Sequence, residues 1–191
     1  VEETTLEYKS QVTEQLRNIR SDKVIVFDNE PLEDYYTIIA RLSSRISKNV
    51  FNVASSIKAR YPNHHFYTKD QYHLTILGQI KTKLFSKEEV ISVVEEILPR
   101  YHLTINFEGV GAGVASVCFP GYEQTSGKIR RLRAELRKQL PHSDAFTVHA
   151  PVWENILWVN FMRYGRKPEA GFYSFLESFR EMPLGLLETP V

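Results

Sequence analysis

Cysteine is nearly missing: Cys118 is the only one in 191 residues. A single thiol excludes an internal disulfide framework and fits a reducing compartment, so a cytoplasmic protein is expected. Net charge is almost missing too, at +1. No global field gathers nucleic acid, and any basic patch has to be local. No apolar run approaches the ~18 residues of a membrane span, and the N-terminal stretch lacks a signal-peptide pattern. No membrane partner is therefore expected. No Cys/His cluster has zinc spacing, and no glycine-rich loop matches a phosphate- or dinucleotide-binding fingerprint, so neither metal nor cofactor is expected. Gly109-Val110-Gly111-Ala112-Gly113 lacks the lysine that completes a phosphate loop and reads as a turn.

What is present is an ordinary balance of 42% hydrophobic and 25% charged residues, enough for one large domain or two small lobes sharing a core. In chain order, Glu2 to Arg20 reads as a polar helix with a thin stripe of Val12, Leu16 and Ile19. Val24-Ile25-Val26-Phe27 reads as a short buried strand. Ile38, Leu42, Ile46, Val50, Val53 and Ile57 recur at helical spacing, which predicts one long helix from Asp34 to Arg60. Tyr61-Pro62-Asn63 stops it. Ser86 with Glu89 forms a capping box that opens a helix ended by Pro99. Strands are expected over Tyr101 to Phe107 and Val114 to Phe119. Gly127 to Leu140 reads as an amphipathic helix, Ile156 to Tyr164 as a strand, and Phe172, Phe175, Leu176 and Phe179 as the mark of a last helix. Interleaved strands and helices predict an α+β domain, and a strand–helix–strand pattern in each half suggests two similar lobes. Residues 1–22 would then be a helical extension and residues 23–191 a single domain.

The stretch Tyr72-His73-Leu74-Thr75-Ile76-Leu77-Gly78 carries the chemistry. It has strand character, and side chains of a strand alternate faces. Tyr72, Leu74 and Ile76 fall on one apolar face; His73 and Thr75 share the other. An imidazole beside a hydroxyl is either a proton-transfer group next to an oxyanion donor or simply the wet face of a half-buried strand. His64-His65 lacks any nearby residue to complete a metal spacing and reads as a solvated loop pair. Tyr101-His102-Leu103-Thr104-Ile105 repeats Tyr72 to Ile76 letter for letter. If both strands shared one sheet, the crossover between them would make them parallel and set His102 at the depth of His73. Lys128, Arg130, Arg131, Arg133, Arg137 and Lys138 surround the stripe of their helix, as a solvated face or as a phosphate track. Tyr122 and Trp153 are candidates for stacking on a base or for the core.

His73-Leu74-Thr75-Ile76-Leu77-Gly78 resembles the first signature of the 2H phosphoesterase superfamily, the 2'-5' RNA ligase-like and cyclic phosphodiesterase proteins. The resemblance implies a bilobal fold, with two sheets flanked by helices around a central cleft and a His-x-Thr/Ser motif from each lobe. It implies metal-independent chemistry on 2',3'-cyclic or 2'-5' phosphodiesters of RNA or nucleotides, one histidine acting as base and the other as acid. His73 and Thr75 would be the catalytic pair. The second motif departs from the family's His-x-Thr-Leu-x-Arg. The corresponding segment is Trp158-Val159-Asn160-Phe161-Met162-Arg163, with Leu157, Val159 and Phe161 expected on one face and Trp158, Asn160 and Met162 on the other. Trp158 stands for the histidine, Asn160 for the threonine, and Arg163 keeps its place. Asn160 can donate to a phosphate, while Trp158 can stack on a base but cannot move a proton. Substrate binding would rest on Asn160, Arg163, Trp158 and His149, the last in a loop before Ile156 because Pro151 is poorly placed in a strand. Two functions follow from the resemblance: a phosphoesterase, or an impaired relative that binds a nucleotide or RNA end without efficient turnover.

Overall fold

The computed structural model describes residues 9–10, 14, 24–27, 34–124, 127–141 and 156–190. In order these form β1 (Tyr35–Arg41), α1 (Ser44–Arg60), β2 (His65–Phe66), β3 (His73–Lys81), α2 (Lys87–Ile97), β4 (His102–Glu108), β5 (Gly111–Ala112), β6 (Ser116–Glu123), α3 (Lys128–Gln139), β7 (Ile156–Arg163), α4 (Phe172–Glu177) and β8 (Pro183–Pro190). The class is α+β, as the interleaved pattern predicts. β1 and β3 make a small antiparallel sheet. A curled antiparallel sheet runs β2-β7-β6-β4-β8, with β5 added on β6. The expected helix over Glu2 to Arg20 and the proposed boundary at residue 22 fall largely outside the described residues.

The single helix from Asp34 to Arg60 is corrected. Tyr35–Arg41 is a strand, and the helix starts only after Ser43, whose hydroxyl accepts from the Ile46 amide. Tyr-Tyr-Thr-Ile-Ile is a β-branched and aromatic run that fits a pleated surface better than a helix. Ile38 in β1 and Leu42 just beyond it match helical spacing only because an extended chain also presents apolar residues at even steps. From Ile46 onward the stripe holds: Ile46, Val50, Val53 and Ile57 are all buried. Asn49 on its flank donates through Nδ2 to the Leu184 carbonyl at 2.8 Å, tying α1 to β8.

Val24–Phe27 is also corrected. It is no regular strand, and Ile25, Val26 and Phe27 are exposed, although the Ile25 and Phe27 amides donate to Val114 and Tyr164 carbonyls. β8, whose prolines and Gly185 hide it from a periodicity argument, pairs with β4 from His102 to Glu108. The capping box at Ser86 is present in both directions: the Glu89 amide donates to Ser86 Oγ at 3.2 Å, and the Ser86 amide to Glu89 Oε2 at 2.7 Å. At the start of α3 the Glu123 carboxylate accepts from the Lys128 and Ile129 amides at 2.8 and 3.1 Å. That supplies acceptors for two of the four donors a helix start leaves open.

His64 is not the solvated residue its loop position suggests; its neighbour His65 is. The His64 ring packs against Phe172 and Tyr164 at centroid distances of 5.1 and 6.0 Å, and its Nδ1 accepts from the Gly165 amide at 3.3 Å. Gly165 is required there, because a Cβ would meet the Asn63 carbonyl oxygen at 2.5 Å. Burial, with Arg166 second, holds the His64 pKa below its ordinary 6.5. The unfolded chain therefore binds the extra proton first, so stability is complete above pH 6.5 and falls as pH drops below it. Thermal melting at pH 7.5 and pH 5 is expected to show this loss, and His64→Phe, which keeps a ring in the packing, is expected to reduce it. An unchanged pH slope in that variant would assign the acid sensitivity elsewhere.

Candidate functional site

β3 behaves as its alternation requires. Tyr72, Leu74 and Ile76 are buried, while His73 and Thr75 are half-buried on the opposite face. The chain before β3 fixes the imidazole. Thr68 and Gln71 lock a short 3-10 turn over Lys69–Gln71, with Gln71 Oε1 accepting from the Thr68 amide at 2.8 Å and from its hydroxyl at 3.0 Å. Arg41, the Cα partner of His73 on β1, donates through Nη1 to the Asp70 carbonyl at 2.8 Å. The pinned turn presents the Gln71 carbonyl to His73 Nδ1 at 2.7 Å. A carbonyl can only accept, so Nδ1 carries the proton and Nε2 keeps the lone pair in the neutral ring. His73 is thus prepared as a proton acceptor at Nε2.

β7, in the larger sheet, packs against β3 and carries the second candidate segment. Leu157, Val159 and Phe161 are buried and Trp158 and Asn160 half-buried, in line with the alternation. Met162 departs from it and is fully buried. The reason is a register shift where Val117 and Cys118 oppose Met162 and Asn160. A bulged strand sets two residues against one and reverses the faces beyond that point. Met162 consequently turns inward and Arg163 outward. Ser116 Oγ donates to Asn160 Oδ1 at 3.0 Å, which leaves the amide nitrogen of Asn160 as the donor end.

Arg133 joins the two strands. It sits in the buried stripe of α3 with Ile129, Leu132 and Leu136, and is only 3% exposed. Its Nε donates to the Ile76 carbonyl at 2.8 Å and one Nη to the Thr75 carbonyl at 3.3 Å. Its guanidinium carbon lies 5.6 Å from the Trp158 ring centroid. Trp158 is therefore packed against a fixed cation. An indole gains from that contact and an imidazolium would be repelled by it.

Not every candidate joins this site. His149 and Trp153 lie outside the described residues. Arg163 is on β7, three residues beyond Asn160, with Nε donating to the Tyr67 hydroxyl at 2.8 Å. His102 is exposed on β4, which belongs to the other sheet from β3 and is separated from β7 by β6. The identical letters therefore do not give His102 the depth of His73. Tyr122 is 4% exposed and belongs to the core. The basic helix is no uniform track, since Arg133 is buried and Lys128 donates to the His102 carbonyl at 3.1 Å.

Among the described residues no group of three His, Cys, Asp or Glu could hold a metal ion, and no helix is long and apolar enough to cross a membrane. No model of a known protein family matches the chain, and no curated protein matches it.

Proposed function

We propose that the chain is a metal-independent 2H phosphoesterase-like protein, bilobal over residues 23–191, whose cleft between β3 and β7 takes the phosphodiester of a nucleotide or RNA end. The ligand carries a 2',3'-cyclic or 2'-5' linkage, and turnover is slow. The observation that supports this most is the bond from His73 Nδ1 to the Gln71 carbonyl, 2.7 Å long, which leaves Nε2 as a base. Thr75 Oγ1 and the amide of Asn160 act as phosphate donors. Trp158 provides no proton, so the leaving oxygen departs without the acid that the family's second histidine supplies. Binding survives that loss better than cleavage, because donors to an anion act in the ground state as well. The single, buried thiol of Cys118 suits a reducing compartment such as the cytoplasm.

Calorimetric titration with a 2',3'-cyclic nucleoside monophosphate tests the reading. Binding is expected with the wild type, about tenfold or more weaker in Thr75→Val and in Asn160→Ala, since a bond to a charged acceptor is worth ~1.5–3 kcal/mol. Excess chelator is expected to leave both binding and any turnover unchanged. No binding by the wild type, or binding that appears only on adding zinc or manganese, would sink the proposal.

A further inference from the structure

Phe27, His65, Tyr67 and Arg163 form a second cluster that the phosphate site does not use. The Phe27 and His65 rings lie 5.2 Å apart and the His65 and Tyr67 rings 5.4 Å apart. The Arg163 guanidinium carbon is 5.9 Å from the Phe27 centroid. Phe27 is 37% exposed and His65 is exposed, so these rings are not simply core. The cluster is continuous with the first site. His65 opposes Arg163, which opposes Ser116, across three neighbouring strands. Directly opposed residues share a face of a sheet, and Ser116 reaches Asn160 through its hydroxyl. From Trp158 to Arg163 the strand advances five residues, roughly 16 Å at ~3.3 Å each. That is longer than one nucleotide needs.

The chemistry of the cluster selects its ligand. A guanidinium already stands among the rings, so a cationic ligand is repelled. A ligand with both a π face and a negative charge is favoured. Tyr67 engages Nε of Arg163, and the forked Nη donors are the part suited to a phosphate. We propose that this strip is a track for single-stranded RNA. The base next to the one whose phosphate lies between β3 and β7 stacks on Phe27 and His65, and Arg163 holds the phosphate joining them. The proposal rests on the phosphate-ester reading above and makes the ligand an RNA end rather than a free mononucleotide.

The test compares a 2',3'-cyclic nucleoside monophosphate with a trinucleotide ending in the same cyclic phosphate. One stacked base is expected to tighten the trinucleotide by about 5- to 150-fold. Phe27→Ala with His65→Ala is expected to remove that advantage and leave mononucleotide affinity unchanged. Both side chains are exposed, and His65→Ala alone, expected to lose part of the advantage, provides a milder variant. Equal affinity of the wild type for two ligands that both bind overturns this proposal and leaves the phosphate reading standing. Failure of both to bind overturns the phosphate reading and this proposal with it. Preference for a phosphotyrosine peptide over the trinucleotide overturns the assignment to RNA.

Discussion

Trp158→His combined with Asn160→Thr is expected to raise cleavage of a 2',3'-cyclic phosphate by ~10²–10⁴-fold, the range a positioned acid or base supplies. The substitution installs the two residue types that the resembled 2H motif carries, while β3 already presents His73 with its lone pair at Nε2. The environment also sets the pH range over which the new histidine works. It would stand beside the Arg133 guanidinium, which in the wild type lies 5.6 Å from the Trp158 ring centroid. A neighbouring cation favours the neutral imidazole. The new group therefore gives up its proton at lower pH than an unperturbed histidine, and it supplies the acid over that range while His73, with its lone pair at Nε2, stays the base. The pH–rate profile of the double variant is accordingly expected to have its alkaline fall-off shifted toward lower pH. A rate no higher than wild type, with the variant folded and still binding the ligand, would mean that β7 does not face the reacting phosphate.

Arg133→Ala is expected to have the largest effect on stability. Two hydrogen bonds from a charged donor at ~1.5–3 kcal/mol each come to about 3–6 kcal/mol, before the contact with Trp158 is counted. For a chain of 191 residues, ~2–4 °C per kcal/mol puts the fall in Tm at about 6–24 °C. Arg133→Lys is expected to recover only a minor part, because an ammonium lacks the planar fork that reaches two successive carbonyls. A loss below ~1 kcal/mol in Arg133→Ala, measured by denaturant unfolding, would mean that water or another side chain takes over the two carbonyls.

The sequence made some of this legible and concealed the rest for identifiable reasons. The face carrying His73 and Thr75 followed from alternation alone, because β3 is regular there. The same alternation failed at Met162, because a bulge depends on the partner strand and leaves no mark in the strand that carries it. The helical reading of β1 fails because Ile38 within it and Leu42 just beyond it fall in phase with the helix that follows. Arg133 was within reach: it lies four residues after Ile129 and next to Leu132, inside the stripe rather than around it. An arginine in that position has to find acceptors in the interior, and that question would have singled it out from its five basic neighbours. The Gln71 carbonyl that orients His73 belongs to the main chain, and no reading of side chains would reveal it.

The distance in sequence between Arg133 and its acceptors has a consequence for biosynthesis. The Ile76 carbonyl and the guanidinium that binds it are 57 residues apart. At ~5–20 residues per second, the ribosome adds that interval in roughly 3–11 s. Throughout that time β3 has at most β1 as a sheet partner, and a lone two-stranded ribbon is marginal in water. The histidine strand thus emerges early but waits for α3 and β7 before it is anchored, which makes the site one of the last parts of the nascent chain to mature and gives a holding chaperone its interval to act.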